Sequence, residues 1–217
     1  FRVNSQLAGR HTTDNIDIMT KEGLPGIDIF IKPHTKGESV HIPVVVSASG
    51  IKETVYNDFY IGDDCDVVIV ADLQENDRQL QDMIARFQSR FPRKTRLVNI
   101  RQYPFRGGCL GCFNCAATGK CIYTDGFDDY LRNEIQTAEA IVYAFSISDH
   151  SMGARFKMYD DRQFCNGHRT VTIGMPVAYL INGGYSKEKN LQTIIEGRAQ
   201  VGSNILAGIA TDETDPD

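Results

Sequence analysis

From residue 66 onward, short apolar runs alternate with helical stretches, and this alternation constrains the fold more than any other feature of the chain. Residues 67–71 form a continuous run, Val-Val-Ile-Val-Ala, the pattern of a parallel strand covered on both faces. Residues 79–91 read as a helix, because Leu80, Met83, Ile84 and Phe87 recur at helical spacing and Pro92 stops it. Further strands are expected over 95–100, 140–145 and 176–181, with a last short one over 207–211. Further helices are expected over 127–136 and over 190–206, the second carrying Leu191, Ile194, Ile195, Val201 and Ile205. Strands separated by helices predict an α/β fold, an open parallel five-stranded sheet with helices on both faces. Ligands of such sheets sit beyond the carboxyl ends of the strands, where the strand order reverses. The loops there would be 72–78, 106–121, 146–153 and 182–185.

One of those loops concentrates the chemistry. Four of the six cysteines, Cys109, Cys112, Cys115 and Cys121, lie in it with the spacing C-x2-C-x2-C-x5-C. A disulfide needs a particular Cα separation and orientation, and four thiols this close in sequence are poorly placed for two unstrained bridges. They are well placed to converge on one metal centre, since thiolates are soft ligands that suit a [4Fe–4S] cluster or a zinc ion. Gly107, Gly108, Gly111 and Gly119 let the backbone turn tightly enough to aim the sulfurs inward. Zinc sites usually come as two separated knuckles; the even packing of the first three cysteines favours iron–sulfur. The plain alternative is a cysteine-rich turn whose thiols stay reduced and pack as small apolar residues. Since this loop is expected at the ligand edge, the pattern predicts a redox site with two centres.

Composition narrows the class. A chain of 217 residues is one large domain or two small ones. Its net charge of −5 and lack of a dominant basic patch argue against nucleic acid and anionic membrane as partners. No apolar run is long enough for a transmembrane helix. Cysteines gathered in a ligand-like loop suggest a reducing compartment, hence a cytoplasmic protein. The chain opens on Phe1 without a signal peptide and reads as a fragment, a processed product or a trimmed chain. Residues 1–26 are polar and turn-rich; 27–31, 40–46 and 56–61 read as short strands with no helix between them. That spacing suggests a β meander or the rungs of a β-helix, a piece too small to bury a good core alone. The domain boundary is therefore expected between 66 and 67, with 1–66 a short all-β segment. His41 reads as a strand bystander and Cys65 as a small buried residue.

Two stretches resemble known families. Residues 36–46 and 55–71 resemble the β-helical SufB/SufD scaffolds of iron–sulfur cluster assembly, up to Ala71, after which this chain continues with Asp72, Leu73 and Gln74 instead of the family's Gly-Cys-Gly-Ile-His-Asn. Residues 66–211 resemble the flavodoxin-like NAD(P)H-dependent FMN reductases and their iron–sulfur flavoprotein branch. The cysteine loop with its trailing Asp125, Asp128 and Asp129 carries that likeness, as does the segment 146–162, where Lys157, Asp161 and Arg162 match a Lys-x-x-x-Asp-Arg helix.

The second resemblance implies a flavodoxin-like sheet with FMN over its edge, against Gln74, Asn76, Arg78, Ser146, Ser148, Ser151, Met152, Gly153, Asn182, Gly183 and Gly184. It implies a [4Fe–4S] cluster nearby on Cys109, Cys112, Cys115 and Cys121. His150 is either a proton donor near the flavin or a solvent-facing loop residue. In these relatives a Ser/Thr/Gly-rich loop after the first strand receives the FMN phosphate at a helix start. Here that loop carries Asp72, Glu75 and Asp77, leaving Gln74, Arg78 and backbone N–H groups to receive it. The implied activity is flavin-dependent oxidoreduction or electron transfer, fed by NAD(P)H or a ferredoxin-type donor, in a homo-oligomer where one subunit's cluster meets another's flavin. Two other readings stand beside it: an assembly or storage protein that receives a cluster transiently, and a fused fragment that binds neither cofactor. Cys165 and His168 read as structural.

Overall fold

The computed structural model describes residues 2–3, 6–38, 40–42, 44–45, 47, 49–50, 54–62, 65–103, 105–168 and 171–213. Its first sheet has three strands, β1 (Ile16–Thr20), β2 (Gly26–Ile31) and β3 (Tyr56–Ile61), in the order β1-β2-β3. Alternation in β2 puts Ile27, Ile29 and Ile31 on one face, where they are buried with Ile16, Val40 and Cys65. β2 and β3 pair in parallel, Gly26 opposite Tyr56, as successive rungs would. β1 and β2 pair antiparallel, Ile16 opposite Ile31. The segment is thus a mixed sheet, neither a meander nor a stack of rungs. β1 lies within the stretch expected to be turns; only two apolar residues, Ile16 and Ile18, mark its period. Of the strand expected over 40–46, the described residues hold Val44–Val45, paired in parallel with Arg2–Val3, which also pairs with Gln6–Leu7; residues 43 and 46 lie outside the described residues.

The second sheet is the predicted one. β4 (Val67–Ala71), β5 (Thr95–Asn99), β6 (Ala140–Ser146), β7 (Pro176–Asn182) and β8 (Ile205–Thr211) stand in the order β5-β4-β6-β7-β8. All four pairings are parallel. This is the flavodoxin-like arrangement, with its order reversing between β4 and β6. β4 is buried along its whole length because both faces are covered. On one face, Val67, Ile69, Ala71, Val142 and Ala144 pack under Leu80 and Ile84 of α1 (Arg78–Arg90). Each of those two side chains contributes about 1.5–3 kcal/mol by leaving water.

The other face carries a larger core. Val68, Val70, Tyr143, Phe145 and Ile181 meet helical side chains there. α2 (Asn114–Thr118) and α3 (Phe127–Tyr130) lie in the β5–β6 crossover, and α3 runs into a π-helical turn over Leu131–Ile135, where Gln136 N–H bonds Leu131 O at 2.9 Å. α4 (Ala154–Arg162) and α5 (Phe164–Gly167) follow β6; α6 (Lys189–Val201) follows β7. The last helix ends five residues before its expected limit. The chain turns at Gly202, with Ser203 at φ 51° and Asn204 N–H bonding Ala199 O at 2.8 Å, so Ile205 already belongs to β8. Among the described residues no helix is long and apolar enough to cross a membrane.

The two sheets touch where Ile205 of β8 packs against the core of the first and Ile61 of β3 packs against the core under α1. Ala71, Asn99, Ser146, Asn182 and Thr211 end the five parallel strands at one edge, so the loops that follow gather there.

Candidate functional site

At the point where the strand order reverses, two strand ends and a helix start are joined by side chains. Ser146, the last residue of β6, donates its hydroxyl to Asp77 Oδ2 at 2.6 Å. Asn182, the last of β7, donates Nδ2–H to Ser146 Oγ at 2.8 Å. Asp77 Oδ1 accepts the Leu80 N–H at 3.2 Å and so caps α1. Two predicted residues, Ser146 and Asn182, are therefore brought together, and the residue that joins them to α1 is Asp77. The sequence carried a sign of it, since an Asp directly before an apolar-periodic helix is a capping residue.

The other residues of the first loop are held by its own backbone. Asp77 N–H bonds Gln74 O at 3.2 Å and Arg78 N–H bonds Asn76 O at 3.0 Å. Gln74, Asn76 and Arg78 have exposed side chains. Leu73 is fixed from both sides by Asn99, which accepts its N–H at 3.3 Å and donates to its carbonyl at 2.8 Å. Asp72 is buried, with Arg101 Nε 2.5 Å from its Oδ1, but off hydrogen-bond alignment, so that oxygen is left without a hydrogen-bond partner. Burial raises its pKa above the ordinary carboxylate value against the pull of Arg101.

After β6 the chain makes a tight two-residue turn. Ser148 and Ser151 exchange both backbone hydrogen bonds at 3.0 Å, and Asp149 and His150 between them have φ of 51° and 60°. Two left-handed residues suit the right-handed twist of such a hairpin, and Asp and His tolerate that region better than most. Met152 is buried behind the turn, and Gly153, at φ 74°, opens α4. The His150 side chain is 89% exposed and its Nδ1 lies 3.0 Å from Glu188 Oε1, at the start of α6. That carboxylate raises the imidazole pKa. Gly183, at φ 114°, passes so close to Ile147 that a Cβ would stand 3.2 Å from that side chain's Cβ. Its N–H bonds Asp212 Oδ1 at 2.8 Å, and Glu213 takes the Ser186 N–H and hydroxyl, both at 2.8 Å. Gly184 is exposed in the same turn.

The cysteine loop leaves this edge. After Ile100–Gln102 the chain runs down the outer face of α4, and its four cysteines line one cavity of about 360 Å³ with Asp161, Arg162, Phe164, Cys165 and His168. Those partners belong to the last turn of α4 and to α5, whereas the nucleotide edge meets the first turn of α4. The expectation that the metal loop would line the strand-tip pocket is thereby corrected. A helix of nine residues lies between the two places, about 13 Å of rise. The reason is packing: Cys115 is buried against α5, with its Sγ 3.8 Å from Phe164 O. Cys109 and Cys112 are exposed and Cys121 is half-buried; all are free thiols. Burial pushes the Cys115 thiol up, and Cys165 up to about 12. Cys165 and His168, too isolated in sequence to suggest a site, thus share the cavity of the four. Among the described residues no group of three or more His, Cys, Asp or Glu side chains is arranged to hold a metal ion.

One wall of that cavity is a buried ion pair. Arg162, 1% exposed, donates to Asp125 through Nη1 at 3.0 Å and Nη2 at 2.8 Å, and lies over the rings of Tyr123 and Phe127. These bonds hold the Asp125 carboxyl well below the usual range.

No protein-family model matches the chain, and no curated protein matches it. Among solved structures its fold is similar to that of the azoreductase AzrA, at 13% identity and a TM-score of 0.53, over 68% of this chain and 86% of that one. It is likewise similar to Smu.1420 from Streptococcus mutans, at 9% identity and a TM-score of 0.51, over 70% and 91% of the two chains. At such identities the likeness establishes the flavodoxin-like fold.

Proposed function

We propose that the chain is a flavin-dependent oxidoreductase that accepts electrons from a nicotinamide donor. The carrying observation is the edge itself: the order β5-β4-β6-β7-β8, shared in fold with an azoreductase, gathers the loops after β4, β6 and β7 at the reversal point. A bound flavin supplies the exchange between hydride and single-electron chemistry. The chain's own part is to present small residues and fixed backbone to a flat ring. The Ser148–Ser151 turn and the Gly183–Gly184 turn do this, and the Ser146–Asn182 bond keeps their strand ends in register. His150, exposed and near Glu188, is the candidate proton donor at this edge. The FMN implied by the resemblance fits less completely: Asp77 fills the helix start where its phosphate would lie, and the residues there do not suit an anion.

A second centre is favoured by one observation, the four cysteines lining a single cavity. Thiolates are soft ligands, and four of them suit a [4Fe–4S] cluster. Cys109, Cys112, Cys115 and Cys121 would hold it. That cavity lies at the far end of α4 from the flavin edge, and a cluster held there would supply single-electron chemistry. The likeness of residues 36–46 and 55–71 to assembly scaffolds rests on sequence, and the assembly reading predicts iron without flavin. Anaerobic purification followed by flavin, iron and sulfide analysis separates these readings. One flavin per chain, with or without about four irons, supports the oxidoreductase; iron alone supports assembly; a colourless protein that takes up neither cofactor sinks both.

A further inference from the structure

The helix start that a nucleotide-type sheet offers to a phosphate is already filled in this chain. An anion-binding helix start works because its first N–H groups are open and its dipole favours negative charge. Here the N–H groups of Leu73, Asp77, Arg78 and Leu80 bond inside the protein, to Asn99 Oδ1, Gln74 O, Asn76 O and Asp77 Oδ1, while that of Gln79 has no such partner among the described residues. The Asp77 carboxylate lies at the N-terminus of α1 and takes one hydrogen bond from the helix and one from Ser146. It makes there the contacts that a phosphate oxygen would make. Two of the nearby cations are engaged elsewhere: Arg101 faces Asp72, and Arg155 donates to the carbonyls of Ile100 and Tyr103 at 3.2 and 2.7 Å. Glu75 adds a further negative charge to the loop, against the exposed Arg78.

We infer that Asp77 is an internal substitute for the ligand phosphate, so that this edge selects a flavin without a terminal phosphate, of the riboflavin class, over FMN. The inference rests on the proposed flavin reading and names the ligand form that the same edge takes. Its physical content is that a dianionic phosphate at α1 would have to displace a bonded carboxylate or sit against it. Close like charges that cannot both be solvated weaken binding by at least about tenfold.

The test is titration of the full chain with riboflavin and with FMN, followed by flavin fluorescence, for the wild type, Asp77→Asn and Asp77→Ser. Asparagine caps a helix as well as aspartate does, so Asp77→Asn keeps the cap on Leu80 N–H and removes the charge, together with the oxygen to which Ser146 donates; serine also vacates the space. The wild type should bind riboflavin at least as tightly as FMN, and both variants should shift the FMN-to-riboflavin affinity ratio toward FMN by about tenfold or more. A wild type that prefers FMN tenfold, or variants that leave the ratio unchanged, overturns the inference and leaves the flavin reading standing. If neither flavin binds any of the three proteins, the flavin reading fails. Thermal melts with inorganic phosphate then decide the inference alone: stabilisation gained by Asp77→Ser and lacking in the wild type supports it, and equal responses refute it.

Discussion

Removing Asp125 should unfold a large part of the margin that keeps this protein folded. Its carboxylate accepts four hydrogen bonds: two from Arg162, one from Arg106 N–H at 3.0 Å and one from Phe127 N–H at 3.2 Å. Asp125→Ala leaves the Arg162 guanidinium buried without its counter-charge, with Nε already lacking a partner. Breaking a buried pair from one side costs about 3–5 kcal/mol. In a chain of this size that corresponds to a fall in Tm of about 6–20 °C. Arg162→Met, leaving the carboxylate behind, should cost a similar amount. The double variant Asp125→Leu/Arg162→Met replaces the pair by apolar groups, which is often close to neutral. It still orphans the two backbone N–H groups, at about 1–3 kcal/mol each, so its cost should fall several kcal/mol short of the sum of the single variants. Urea and thermal unfolding followed by circular dichroism measure all three. Additive single effects, or an Asp125→Ala cost below about 1 kcal/mol, would show that the pair is solvated and would refute the reasoning. The pH dependence has a definite sign. The folded Asp125 carboxyl lies below its ordinary value of about 3.8, so its stabilisation is full above that value and is lost as pH falls through the lower, folded one. Asp125→Asn should lack this acid-sensitive component.

Three further outcomes follow from single residues. Gly174→Ala should free the first sheet from the second: Gly174 has φ 73°, and a Cβ there would stand 1.3 Å from Val40 O, so added protease should cut residues before 60 faster than in the wild type, and unchanged cleavage would refute that packing. Glu188→Gln should bring the His150 pKa, read by NMR titration, down toward its ordinary 6.5; the link to Glu188 is full below that value and is lost as pH rises through the raised one, and an unchanged titration would show that the contact is absent in solution. In metal-free protein a thiol reagent should modify Cys109 and Cys112 quickly and Cys121 more slowly, whereas Cys65, Cys115 and Cys165 should react only on unfolding; fast labelling of Cys165 would contradict its burial.

The parallel sheet was legible because its strands are unbroken apolar runs and its helices carry a three-to-four-residue period. Residues 67–71 could hardly be anything but a strand covered on both faces. The limits of α6 were not legible, since Val201 and Ile205 continue the apolar period past a turn that only backbone geometry reveals. β1 was missed for the opposite reason, a period too short to see. The segment 1–66 offered strands without a partner order, and pairing depends on contacts distant in sequence: β2 finds β3 thirty residues on, and β1 folds back antiparallel.

Sequence by itself determined the fold class and the loops at the strand ends, because both follow from hydrophobic periodicity, a local property. It also singled out the four cysteines, whose spacing is local too. Tertiary structure alone decided where those cysteines go. Their loop is drawn down α4 by the burial of Cys115 and by the Arg162–Asp125 pair, away from the edge that its place in the chain suggested. The surroundings of Asp77 were likewise decided in space, because Ser146, itself held by Asn182 at the end of β7, and Leu80 N–H meet at its carboxylate from places distant in sequence.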